Sequence, residues 1–115
     1  MNTHTIYVIK DFHKRPYGRD EGDAPGYEGT GLKFRKNLLV PALNTYPKVH
    51  VVLDGYNRYG PSFLDEAFGG LVRDEDFSGE FIQKHLTYSH SELKSIEQII
   101  DDRINAAIQE KSRTA

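Results

Sequence analysis

The sequence predicts an α/β domain with a mostly parallel sheet of about three to four strands and flanking helices. The clearest observation is a run of valines and leucine over residues 48–53, which is followed after a short loop by a helix-like segment over residues 61–73. A short run rich in β-branched residues, here Val49, Val51 and Val52 with Leu53, is typical of a strand buried on both faces of a parallel sheet. Strand-like and helix-like segments alternate along the rest of the chain, which favours right-handed crossovers between parallel strands.

Composition limits the class of protein. The 115 residues fit one domain, residues 1–115. The 15 basic and 17 acidic residues give a net charge of −2, which creates no field attracting nucleic acid or an anionic membrane. There is no cysteine, and the five histidines show no metal-ligand spacing, so we expect neither metal nor cofactor. No apolar run is long enough to span a membrane, and we expect a cytoplasmic protein.

The amino-terminal part predicts a strand and then a long loop. Residues 3–11 are rich in β-branched side chains, whereas residues 12–31 combine glycine and proline with charges and show no apolar period. Lys14, Arg15 and Arg19 of this loop would suit a phosphate or nucleotide, although a solvated loop is the simpler explanation. The alternative function is therefore a small-molecule binding protein or enzyme that uses loop 13–31.

The first helix is expected between Thr30 and Tyr46. Thr30 suits the N-cap position, where its hydroxyl accepts a backbone N–H. Pro41 removes one backbone donor from the helix, so the sequence predicts a kink or a helix that restarts near Val40.

The carboxyl-terminal third predicts a short helix, a strand and a long helix. The short helix covers residues 78–84, and residues 86–89 form the third strand. From Leu93 onward, apolar residues recur every three or four positions over a charged surface, as in an amphipathic helix. Ser89 and Glu92 have the spacing of a capping box at the start of this helix.

The loop between the second strand and its helix is the expected functional surface, because sites in open α/β sheets gather beyond the carboxyl ends of strands. Pro61 suits the first helical turn, and Asp65 places negative charge where the helix dipole is positive. Ser62 is either a cap or a regulatory residue, and with Asp65 it belongs to the expected protein interface, residues 56–66.

Six further residues of this region have expected roles. We expect Gly55 and Gly60 to permit tight turns and Asp54 to accept backbone N–H groups, with a role as general base as the alternative. Tyr56, Arg58 and Tyr59 would form a patch suited to protein recognition unless one of the tyrosines packs on the sheet.

Two blocks of the sequence resemble a known family. They are Leu53-Asp-Gly-Tyr-Asn-Arg-Tyr-Gly-Pro-Ser-Phe-Leu-Asp-Glu-Ala-Phe-Gly-Gly-Leu71 and Thr30-Gly-Leu-Lys-Phe-Arg35, the latter continuing through Leu38-Leu-Val-Pro-Ala-Leu43. Together they resemble a bacterial STAS-like domain family of unknown function, which is related to the STAS anti-sigma-factor antagonists. The resemblance covers residues 30–71 and implies a small STAS-like α/β fold.

The resemblance implies a signalling or transcription-control module that binds a protein and is not an enzyme. STAS antagonists bind an ATPase of the histidine-kinase type, and phosphorylation of a serine in this loop changes which partner is held. Their usual motif is Asp-Ser-Ser-Gly, which aligns with Gly60 to Phe63, so Pro61 stands at the modified position and Ser62 is the substitute candidate. The balanced charge predicts no nucleic-acid or membrane partner, and the sequence leaves the oligomeric state open.

Overall fold

The structure is a computed structural model that describes residues 3–114. The sheet consists of β1 (Thr3–Tyr7), β2 (Lys48–Val52) and β3 (Leu86–Ser89). The main helices are α1 (residues 31–45), α2 (residues 61–73), α3 (Gly79–His85) and α4 (Lys94–Thr114). Strand β2 is central and pairs in parallel with both neighbours, which confirms the predicted α/β class and the parallel sheet.

One face of the sheet is buried against the helices. Ile6, Val51 and Leu86 are buried on that face, whereas the alternate residues of each strand are partly or fully exposed. The prediction that β2 is buried on both faces is therefore wrong. On the more open face, His50 hydrogen-bonds through Nδ1 to Thr87 Oγ1 at 2.7 Å and through Nε2 to Ser89 Oγ at 2.9 Å.

Strand β1 is shorter than predicted, because the chain turns after Tyr7. A π-helical turn covers Val8–Phe12, and the backbone N–H of His13 donates to the carbonyl of Val8 at 3.0 Å. The carboxylate of Asp11 accepts the backbone N–H of Tyr7 at 2.8 Å. This folded-back side chain satisfies a backbone donor at the end of the edge strand.

Helix α1 contains the predicted cap and the predicted restart. Thr30 Oγ1 accepts the backbone N–H of Lys33 at 3.4 Å, so Thr30 is the N-cap. The helix is α-helical over Gly31–Phe34, forms a π-helical turn over Arg35–Leu39, and is α-helical again over Val40–Thr45. The wider turn lies directly before Pro41, which donates no backbone hydrogen bond.

Helices α1, α2 and α4 form the layer that covers the sheet. Helix α2 also contains a π-helical turn, over Asp65–Gly69. The rings of Phe34 and Phe63 stack with centroids 5.9 Å apart, and Phe68 meets Phe34 edge-on at 6.2 Å. All three rings are fully buried, as expected for apolar residues on the inner sides of α1 and α2.

The two sequence blocks meet where α1 packs on α2. Arg35 is 2% exposed, and it donates from Nη1 to the Glu66 carboxylate at 2.9 Å and to the Glu66 carbonyl, and from Nε to Glu75 at 2.9 Å. Arg35 lies against Gly70, where any Cβ would collide with the guanidinium. A Cβ on Gly31 would lie 2.6 Å from the carbonyl oxygen of Phe63. Gly31 and Gly70, one in each sequence block, therefore allow α1 and α2 to approach closely.

The carboxyl-terminal elements match the prediction except for one cap. Ser78 Oγ accepts the N–H of Phe81 at 3.0 Å and caps α3, and β3 has the predicted bounds. The capping box of Ser89 and Glu92 is wrong, because Ser89 belongs to β3 and its hydroxyl bonds His50. None of the helices within residues 3–114 combines the length and apolar composition that crossing a bilayer requires.

Candidate functional site

Residues 54–62 lie at the carboxyl edge of the sheet and comprise the loop after β2 together with the first two residues of α2; we call this segment the docking loop. The loop that joins β3 to α4, residues 90–93, is its neighbour, because β2 and β3 are adjacent parallel strands. Hydrogen bonds between these two loops fix the shape of the docking loop.

Asp54 links the two loops. Its carboxylate accepts the backbone N–H of Ser91 at 3.2 and 3.1 Å and also accepts the Ser91 hydroxyl. The hydrogen bond from the Ser91 hydroxyl lowers the pKa of Asp54. This geometry gives Asp54 a structural role, with its partners in the neighbouring loop, and a lowered pKa makes the carboxylate a weaker proton acceptor.

His90 provides a second link. It is 1% exposed, and its Nδ1 accepts the backbone N–H groups of Glu92 at 3.2 Å and Leu93 at 3.0 Å, just before α4 begins. Because Nδ1 accepts two hydrogen bonds, the ring proton lies on Nε2, which donates to the Tyr56 carbonyl at 2.8 Å. The imidazole thus holds the turn before α4 and supports the docking loop, a role that sequence reasoning missed.

Tyr59 lies beneath the docking loop and not on its surface. It is 6% exposed, and its hydroxyl donates to the carbonyl of Leu53 at 3.0 Å. Burial raises the pKa of Tyr59 above its usual value. Tyr59 is thus not part of a recognition patch; it is the tyrosine that packs inward, as the alternative expected, because its satisfied hydroxyl allows the whole ring to enter the core. The ring of Tyr56 is half-buried and meets Tyr59 edge-on at 5.1 Å.

Asn57, Arg58 and Pro61 form the exposed surface of the docking loop. A cavity of about 460 Å³ lies beside them, and its lining comprises Gly55, Tyr56, Asn57, Arg58, His90 and Glu92. Gly55 has φ +94°, a conformation that favours glycine, so its predicted role is supported. Gly60 has φ −87° and open space around its Cα, so the turn does not require a glycine there.

Helix α2 begins without a side-chain cap. Gly60 is the N-cap residue, Pro61 is the first helical residue as predicted, and Ser62 is the second. The capping role considered for Ser62 is wrong, because the residue lies inside the first turn and not before it. Its half-buried hydroxyl has no hydrogen bond to any residue that the structure describes.

The long loop, residues 13–30, reaches the start of α2, and we call it the strap. Arg19 Nη1 contacts Asp65 Oδ2 at 2.6 Å and Glu66 Oε1 at 3.4 Å, and Arg73 contacts Asp65 at 3.3 Å. Burial alone would raise the pKa of Asp65, but the hydrogen bond from Arg19 and the charge of Arg73 outweigh it, so the pKa lies below its usual value. Asp65 therefore serves as an anion that anchors the strap.

The predicted basic cluster of the strap is divided. The guanidinium of Arg19 faces the carboxylates of α2, whereas Lys14 and Arg15 are exposed. Across residues 3–114, histidine, aspartate and glutamate form no group of three or more that could hold a metal ion.

Comparison with known proteins agrees with this architecture. A family model described as a STAS-like domain of unknown function (DUF4325) matches residues 30–95. The match extends from the cap of α1 through the docking loop to the start of α4, which is more than half of the chain. No curated protein and no solved structure matches the sequence. The chain therefore belongs to the family of STAS-like domains of unknown function.

Proposed function

We propose that this domain is a regulatory module that binds a protein through the docking loop and the first turn of α2. The observation that carries the proposal is an exposed loop fixed from beneath by three separate contacts. Those contacts are Asp54 to Ser91, His90 to the Tyr56 carbonyl, and Tyr59 to the Leu53 carbonyl. A loop held in one shape loses little conformational entropy when a partner binds.

The exposed groups of the docking loop suit a protein partner. Arg58 is exposed and has no carboxylate partner within the described part of the chain, and arginine is enriched among residues that dominate binding energy. Pro61 adds a rigid apolar surface beside it. The resemblance to STAS antagonists supports an ATPase of the histidine-kinase type as the partner.

Ser62 is the proposed point of regulation. Phosphorylation would form a bond between Ser62 Oγ and the γ-phosphorus of ATP, release ADP, and pass the hydroxyl proton to a base on the ATPase. The product adds about −1.5 to −2 charges at neutral pH. The start of α2 tolerates this charge because its first N–H groups are unpaired, whereas an acidic or apolar partner surface does not.

Ser62→Glu should weaken binding about tenfold, because the added carboxylate lies within the proposed contact. Ser62→Ala should change binding less than about twofold, since the hydroxyl caps nothing. Calorimetry with the histidine-kinase-type ATPase encoded nearest to this chain measures both values. Ser112→Glu, an exposed change near the far end of α4, controls for net charge.

Two outcomes contradict this proposal. One is equal affinity of the wild-type protein and Ser62→Glu for the ATPase. The other concerns only the proposed phosphorylation. If the intact mass of the chain does not rise by one phosphoryl group after incubation with ATP and the ATPase, Ser62 is not the regulated residue.

A further inference from the structure

We propose that Arg19 of the strap binds the phosphoryl group of phosphorylated Ser62. The strap would then contact the proposed point of regulation directly. This inference rests on the function proposed above, because it concerns the phosphorylated form of the same site. The strap would then bind the modified residue, in addition to its contacts with α1 and α2.

The backbone of the strap fixes the position of Arg19. Gly31 and Leu32 are the first two residues of α1. The N–H of Gly31 donates to the carbonyl of Gly18 at 2.9 Å, and the N–H of Leu32 donates to the carbonyl of Arg19 at 3.0 Å. The start of α1 in turn packs on α2, where Gly31 lies against the Phe63 carbonyl. The backbone around Arg19 is therefore hydrogen-bonded to the start of α1, and this places the guanidinium beside α2.

Ser62 lies on the same side of α2 as the carboxylates that Arg19 contacts. The first turn is α-helical, since the N–H of Asp65 donates to the carbonyls of Pro61 and Ser62. Residues three and four apart on such a helix have Cβ atoms about 5–6 Å apart. Asp65 and Glu66 are three and four residues after Ser62, so a phosphoryl group on Ser62 lies about one helical turn from the guanidinium of Arg19.

Arg19 has donors available for that group. Its contacts with Asp65 and Glu66 both use Nη1, and Nε and Nη2 have no acceptor among the residues that the structure describes. The side chain is 36% exposed, so these nitrogens can be reached from solvent. Arginine offers five N–H donors in a planar fork that matches phosphate oxygens. Arg19 can therefore bind the phosphate without releasing Asp65.

Arg73 is the other cation at this site and is less suited to the role. Its Nη1, Nη2 and Nε nitrogens each lie near a carboxylate, of Asp65, Glu66 and Asp74 respectively. The positive charge of Arg73 is thus shared among three carboxylates, at 3.3, 3.9 and 3.9 Å, whereas two nitrogens of Arg19 have no such neighbour. The geometry therefore favours the residue of the strap over the residue at the end of α2.

The test uses the full chain with phosphoserine incorporated at position 62 during translation. Phosphorus NMR follows the second ionisation of the phosphate, which ordinarily occurs near pH 6. We expect the midpoint to lie at least about 0.5 pH unit lower in the otherwise unchanged protein than in Arg19→Gln, because a nearby cation favours the dianion. Arg15→Gln removes an exposed arginine from the same strap and should leave the midpoint unchanged.

Equal midpoints with and without Arg19 overturn the inference. Because Arg19→Gln also removes an ion pair, a second measurement leaves Arg19 in place and compares its ¹⁵Nε resonance in the phosphorylated and unmodified chains. A resonance that does not move overturns the inference as well. Neither experiment contains the ATPase, so an ATPase that fails to bind or to modify the chain counts against the proposed function and not against this contact.

Discussion

Replacing Arg35 by methionine should lower the free energy of unfolding by about 3–5 kcal/mol, the usual cost of removing one partner from a buried ion pair. Methionine fills much of the space of the arginine stem but leaves the buried carboxylate of Glu66 without its closest cation. The substitution also removes Arg35 Nε, which donates a hydrogen bond to the carboxylate of Glu75 just after α2. Urea denaturation at neutral pH, followed by circular dichroism, measures the change.

Two further variants separate the ion pair from the general loss of an arginine. Arg58→Met changes an exposed arginine and should alter stability by no more than about 0.5 kcal/mol. The double variant Arg35→Met with Glu66→Gln should recover part of the loss, because no unpaired charge is then buried. If Arg35→Met is as stable as the wild-type protein, Arg35 does not hold α1 and α2 together.

Gly31→Ala should destabilise the domain by about 1–3 kcal/mol, although alanine is the better helix former. The added Cβ would lie 2.6 Å from the Phe63 carbonyl and 3.0 Å from Glu66 Cβ, so α1 and α2 would have to separate. Backbone atoms cannot rotate away as the end of a long side chain can. Thermal and urea unfolding of the purified variant both report the effect.

The matched control for this change is Gly60→Ala in the docking loop. Gly60 has an ordinary φ of −87°, and an added Cβ there meets no atom within 4 Å. Alanine at this position should change stability by less than about 0.5 kcal/mol, because restriction of the unfolded chain is offset by the loss of glycine at the N-cap of α2. Similar losses in Gly31→Ala and Gly60→Ala would show that close packing of α1 on α2 is not the reason for the glycine at position 31.

The sequence predicted those features of the fold that depend on local chemistry. The β-branched run predicted β2, and the period of apolar residues predicted α2 and α4. The missing N–H of Pro41 predicted the change in α1 near Val40. Each of these signals acts within a few residues along the chain. The position of the docking loop followed from the same strand-to-helix pattern.

The details that the sequence did not predict depend on partners distant in the chain. Tyr59 and Arg58 are neighbours, but only Tyr59 finds a buried acceptor, the Leu53 carbonyl, and so enters the core. His90 holds the turn before α4 through Nδ1, while its Nε2 donates to the Tyr56 carbonyl, 34 residues earlier. Arg19 contacts α2 at Asp65, 46 residues later. Such pairings are set by packing and leave no periodic signal.

The most direct test of the proposed docking surface is hydrogen–deuterium exchange of this chain with and without the histidine-kinase-type ATPase encoded nearest to it. We expect slower exchange of the backbone amides of residues 55–65, and unchanged exchange at β1 and in the last two turns of α4. Protection confined to the cavity of about 540 Å³ between β1 and α1, which Tyr7, Pro41 and Tyr46 help to line, would place the partner elsewhere and contradict the account.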